Sequence, residues 1–238
     1  MNNQYIFRDI VGAARQPLLA VLVLLAAGCA QYRPPTAEDF GREWTVLSGQ
    51  WAVQDGVLAG YCPPYEGDAR ACAGRAVEAA LLNRARLPAN YRLATTLTLE
   101  RGYAATLGLT GGTSRQVGLT FHAGRQRLIV KRHAATFWRA PASFPLAIGY
   151  GQPLRVEVEV CNGYVQVRSD GRRIGGGQLD ELAGGGRLQL GVVGAAHFAG
   201  LTVQALPGSE CARDTVPTNP AGIPREQLPA DFEFAPSS

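Results

Sequence analysis

The chain has 238 residues, 46% hydrophobic and 18% charged, with 23 basic residues against 19 acidic ones and a formal net charge of +4. That length allows one sizeable core or at most two small domains. A positive balance so small and dispersed excludes a nucleic-acid-binding surface of the usual kind.

Arg8 and Arg15 precede an apolar run over residues 18–27, and small residues follow it. This is the layout of a secretory signal peptide, expected over residues 1–28. The run has about ten strongly apolar residues where a membrane-spanning helix needs about twenty. Ala26-Ala27-Gly28-Cys29 resembles the lipobox of bacterial lipoproteins. The resemblance implies cleavage before Cys29, lipid on its sulfur, and a membrane partner reached through that anchor. Ala30, standing where retained lipoproteins carry aspartate, is similar to lipoproteins sent on to the outer membrane. The expected location is the cell envelope, lipid-anchored at the outer membrane and facing the periplasm or the surface.

Removing residues 1–28 takes away Arg8, Arg15 and Asp9 and leaves 21 basic against 18 acidic residues, a net of +3. Lys131 is the single lysine, which a coding bias towards arginine explains as well as any function does. With Cys29 lipidated, Cys62, Cys72, Cys161 and Cys211 remain, and an even number in an exported chain points to disulfides. Of the three possible pairings, Cys62 with Cys72 and Cys161 with Cys211 is favoured, because the first pair brackets a Pro- and Gly-containing excursion that a bridge could tie off. Neither pair has the two-residue spacing of a zinc knuckle, and no metal or cofactor is expected.

Residues 29–39, with Pro34-Pro35, read as an extended lipidated tether. The folded region is expected over residues 40–211, where period-two alternation recurs. Strands are predicted over 50–53, 57–61, 77–82, 91–100, 104–110, 116–122, 127–131, 154–161, 164–168, 172–174, 187–193 and 198–206. In 154–161, Leu154, Val156, Val158 and Val160 alternate with Arg155, Glu157 and Glu159. Asn162-Gly163 and Asp170-Gly171 are two-residue hairpin signals that order three strands as a meander. The one helical signal is a single turn at 179–183, too short to carry architecture. Residues 212–238 hold Pro217, Pro220, Pro224, Pro229 and Pro236 and read as a tail, whose Phe232 and Phe234 are expected to pack on its own domain rather than on a partner.

Ten to twelve short strands with Gly, Pro and Asn turns predict an all-β, antiparallel sandwich. An outer-membrane barrel would need lipid-facing strands of about ten residues and aromatic girdles, which these segments lack. Gly49, Trp51, Val53, Asp55, Gly56 and Leu58 resemble the opening G-x-W-x-V-x-D-G-x-L hairpin of the concanavalin A-like jelly-roll superfamily, especially its laminin-G-like and DUF1080-type (3-keto-disaccharide hydrolase) members. Residues 154–206 resemble its closing strands, ending in a strand that carries Phe198 and returns beside the amino-terminal one. The resemblance implies a jelly roll of the glycan-binding and glycanase kind.

Catalytic signals are thin. Glu157 and Glu159 share a polar strand face about 6 to 7 Å apart, and they read as solvated partners of Arg155 and Arg168 rather than as a glycosidase pair. The histidines, His122, His133 and His197, have no nucleophile elbow near them. The glycine triplets at 175–177 and 184–186 open no βαβ unit and read as turns. Binding without catalysis is preferred, of a glycan or of an envelope protein. The ligand-contact candidates are His122, on the polar face beside Thr120 and Gly118, together with Lys131, His133, Trp138, Arg139 and Tyr150 in residues 131–150. For Trp138, packing is the simpler reading. The alternative function is a glycoside hydrolase or lyase of the DUF1080-like kind.

Overall fold

The computed structural model describes residues 36–62, 64–65, 68–72, 78–111, 116–134 and 137–214. The expected signal peptide, Cys29 and the tail with Phe232 and Phe234 lie outside the described residues. Fourteen strands occur among the described ones: β1 (Trp44–Ser48), β2 (Gln50–Gln54), β3 (Val57–Tyr61), β4 (Pro64–Tyr65), β5 (Asp68–Cys72), β6 (Ala79–Asn83), β7 (Tyr91–Thr110), β8 (Gln116–His122), β9 (Arg127–Ala134), β10 (Phe137–Pro145), β11 (Pro153–Cys161), β12 (Tyr164–Ser169), β13 (Arg172–Gln178) and β14 (Arg187–Ala205). Every named pairing is antiparallel.

Two long strands, β7 and β14, pair along nearly their whole length and pass through both layers of a sandwich. One layer runs β1-β6-β14-β7-β8-β9-β10, through the first half of β14 and the second half of β7. The other runs β2-β3-β14-β7-β11-β12-β13, through the opposite halves. The layers meet in one apolar core that takes Leu107, Leu119, Phe121, Leu128 and Leu190 from the first and Leu58, Leu93, Leu97, Val156, Val158 and Phe198 from the second. Their contact is direct: a Cβ on Gly60 would lie 2.9 Å from Val192, and one on Gly175 would lie 2.6 Å from the Phe144 ring.

The corner between layers forms where Gly102 and Gly194 are register partners. The sequence breaks its alternation there, so each long strand reads as two segments; tertiary pairing makes each continuous. The opening hairpin turns at Asp55-Gly56, and Trp51 packs 6.3 Å from Phe198, the register partner of Leu58. Asn162-Gly163 and Asp170-Gly171 have positive φ at both residues, as the primed hairpin turns require.

Several expectations need correction. The main sheet has twelve strands among the described residues, within the ten to twelve expected, and β4 and β5 form a separate two-stranded sheet. β1, β4, β5 and β10 fall outside the predicted segments because they carry no clean alternation. In β10 a register shift between Arg139 and Ala142 interrupts the phase around Pro141. Two short helices, α1 (Ala37–Glu43) and α2 (Gly208–Asp214), also form. Thr36 caps α1, its hydroxyl accepting from the Asp39 amide at 3.2 Å, so the stretch ending at Asp39 is not wholly extended. The turn at 179–183 is present as a 3-10 turn, Asp180–Leu182. Its Glu181 reaches between the layers to Arg132. Cys161 is bonded to Cys211, tying α2 to the end of β11. Cys62 is disulfide-bonded as well, while the side chain of Cys72 lies outside the described residues.

Candidate functional site

The outer face of the first layer is built by alternation. Gln116, Gly118, Thr120 and His122 alternate with buried Val117, Leu119 and Phe121 along β8. Register then places Thr106 opposite Thr120, Gly108 opposite Gly118, and Gly191 opposite Thr106, while Lys131 on β9 faces Gly118. Three glycines at adjacent outward positions leave no side chains in the middle of the sheet, and the result is a trough of about 200 Å³. Its lining comprises Glu78, Thr106, Gln116, Thr120, Lys131 and Gln189 around those glycines. The hydroxyls of Thr106 and Thr120 lie 3.1 Å apart across its floor.

Glu78 reaches this face from the segment just before β6. Its carbonyl accepts from Ser48 Oγ at 2.7 Å, which holds the backbone in place. Its carboxyl lies over Gly191, where an added Cβ would stand 2.8 Å from Oε2. Burial raises the Glu78 pKa above the ordinary glutamate value of 4.5, with the charge of Lys131 pulling the other way. From pH 4.5 up to its folded-state value, the folded chain keeps a proton that the unfolded chain has released. Wild-type stability therefore falls as pH rises through that window. A Glu78→Gln variant escapes this loss and should melt above the wild type at pH 7, with the gap closing below pH 4.5; thermal melts across pH check it.

His122 closes the corner end of the same face. Its Nδ1 accepts the Arg125 amide at 3.3 Å, and its ring stacks on Tyr103 at 5.5 Å between centroids. Burial, then the charges of Arg125 and Lys131, hold its pKa below 6.5, so the ring is neutral at pH 7. His133 stands opposite Gln116 at the other end. The register pairs Trp138 with His133 and Arg139 with Arg132; the side chains of Trp138 and Arg139 lie outside the described residues. Tyr150 does not join this group. It is 52% exposed, and its hydroxyl donates to the Gly102 carbonyl at 2.5 Å, bracing the corner.

The carboxylates weighed for catalysis lie on the outer face of the other layer. Arg92 donates to Glu159 at 2.9 Å and stands 3.7 Å from Glu157, which also accepts from Arg168 at 3.3 Å. This is a ladder of ion pairs. Arg168 is the expected partner, but Arg155 is not: its backbone amide donates to Asp170 instead, and Arg92 takes its place. Among the described residues no group of three His, Cys, Asp or Glu converges in a geometry that could hold a metal ion.

Sequence reasoning missed Glu78, Thr106, Gln116 and Gln189. One signal was available: glycines at 108, 118 and 191, where an amphipathic strand would place polar side chains.

The sequence matches no protein-family model and no curated protein. Solved structures do match. A carbohydrate-binding module, CBM66 from Bacillus subtilis, superposes with a TM-score of 0.56 at 15% identity, over 68% of this chain and 96% of that one. A Bacillus subtilis protein of unknown function with a galectin-like fold matches at 0.56 and 14%, over 75% and 96%. A β-1,3-1,4-glucanase (lichenase) from a mouse hindgut metagenome matches at 0.52 and 8%, over 75% and 99%. The fold is a concanavalin A-like jelly roll. In this jelly roll the trough lies on the outer face of the layer that carries β8, and the ion-pair ladder lies on the outer face of the other layer.

Proposed function

We propose that this jelly roll binds a glycan, without catalysis, as the folded part of an envelope lipoprotein held by lipid on Cys29. The observation that carries the binding is the trough: a shallow depression walled by two amides, two hydroxyls, a carboxyl and an ammonium suits the many hydroxyls of a sugar. Its 200 Å³ is below the 300 to 1,000 Å³ usual for enclosed ligands, which favours one ring of a chain lying across the sheet. The carbohydrate-binding module among the solved neighbours supports the same reading.

Hydrolysis is the second reading, favoured by the lichenase likeness in fold and by the raised pKa of Glu78. Glycoside cleavage ordinarily uses two carboxyl groups flanking the bond. Among the described residues Glu78 is the one carboxyl lining the trough, and it faces a lysine. Presenting the purified protein to a glycan array, then incubating it with every glycan it retains, tests the choice. Retention without release of new reducing ends is expected. Turnover abolished by Glu78→Gln would replace binding with hydrolysis. Mass spectrometry of the protein extracted from membranes should find acylated Cys29 at the amino terminus; an intact leader would remove the anchor.

A further inference from the structure

Several partly buried ionisable groups on the strands are paired among the described residues. Glu157 and Glu159 have Arg92 and Arg168, and Glu181 has Arg132. Glu78 and Lys131 break this pattern. Both line the trough, yet neither side chain makes a hydrogen bond or an ion pair among the described residues. Two polar groups facing a shared depression without partners leave their hydrogen-bonding capacity for something that enters it. The chain uses 23 basic residues, of which Lys131 is the single lysine, and the fold puts that one in the trough. Lysine presents a compact charge with three rotatable donors, whereas arginine's planar fork locks onto carboxylates in the way Arg92 holds Glu159. An ammonium at 131 therefore stays available to a ligand.

We infer that the trough takes a sugar ring bearing an anionic group, that group resting on the Lys131 ammonium while ring hydroxyls meet Glu78, Gln116 and Gln189. The inference deepens the glycan-binding reading and rests on it. Burial raises the Glu78 pKa above its ordinary value, which weakens its competition with an anion for the Lys131 ammonium. The amides of Gln116 and Gln189 supply both donors and acceptors for hydroxyls. Gly108 keeps the floor open between them: a Cβ there would stand 2.9 Å from Gln116 Nε2 and 3.2 Å from Gln189 Cβ. On the opposite face Glu157 and Glu159 are held by Arg92 and Arg168.

Isothermal titration of the full chain against matched oligosaccharides tests this. The arms are uronic acid chains, their neutral hexose counterparts of the same linkage, and sulfated forms of the neutral chains. Acidic chains should bind at least tenfold tighter than neutral ones, and the preference should shrink with added salt. Lys131→Met should erase the difference, so that the variant binds acidic and neutral chains with the same affinity, with an unchanged melting temperature confirming the fold. Lys131→Arg should keep part of the preference. A second readout uses the single lysine: acetylation at Lys131, followed by peptide mass spectrometry, should slow in the presence of acidic chains and not neutral ones. A preference for the carboxylated or the sulfated arm supports the inference and names the anion. Equal binding of neutral and anionic chains, or a preference that survives Lys131→Met, overturns it and leaves glycan binding standing. Silence from all three arms overturns both.

Discussion

Gly102→Ala and Gly194→Ala should each cost about 3 kcal/mol or more, enough to leave much of the protein unfolded. The two residues face each other at the corner where β7 and β14 pass from one layer to the other. Their φ angles are +86° and +115°. A Cβ on Gly102 would stand 2.1 Å from the Val193 carbonyl oxygen, and one on Gly194 would stand 2.1 Å from that of Arg101. Both contacts are with backbone, which cannot swing aside as a side chain can, so the strands must separate at the corner. Losing that corner weakens both layers, since each draws half of each long strand. Gly200→Ala is the control: φ there is +59°, nothing lies within 4 Å of the added Cβ, and the cost should be about 1 kcal/mol. Urea denaturation followed by tryptophan fluorescence, with Trp44 buried in the core, reads all three. A corner variant as stable as the Gly200 variant would show that the corner relaxes freely.

Removing the Cys161–Cys211 bridge should cost about 4 kcal/mol by the loop-entropy estimate, because the bond closes a sequence separation of 50. Both cysteines are fully buried and pack with Leu206 in a small apolar cluster beside the main core. Cys161→Ala combined with Cys211→Ala is the right comparison, because serine would leave a hydroxyl among apolar neighbours. The shift in urea midpoint between this variant and the oxidised wild type measures the effect. A difference below about 1 kcal/mol would mean that Leu206 and the α2 backbone already hold the end of β14 in place.

Strand identity was legible wherever one face is dry and the other wet. Residues 116–122 and 57–61 were expected as strands and form β8 and β3 with the same bounds. Leu154, Val156, Val158 and Val160 all face the core. Where alternation fails, reading failed with it. The bulge between Arg139 and Ala142 hides β10, an edge strand that tolerates Pro141 because one side of its ladder is unpaired. Gly102 and Gly194 look like breaks between strands and are bends within them. The seven-residue helix α1 has a readable cap in Thr36 and Asp39 but is too short, with Gly41 inside it, to register as a helical period.

The trough is a different matter. Glu78, Gln116, Lys131 and Gln189 sit on four separate segments, and no spacing in the chain links them. They meet because β6, β14, β7, β8 and β9 are neighbours in that order. Glu157 and Glu159, two residues apart, looked more like a site and lie on the opposite face, paired with arginines. By itself the amino-acid sequence determined which side chains of each strand point inward and where hairpins turn, because alternation and Asn-Gly or Asp-Gly turns are local properties of the chain. Only the tertiary structure decided which strands lie side by side, and so which outward residues share a binding face. That choice depends on burying the apolar faces of both layers at once, a condition no single segment contains.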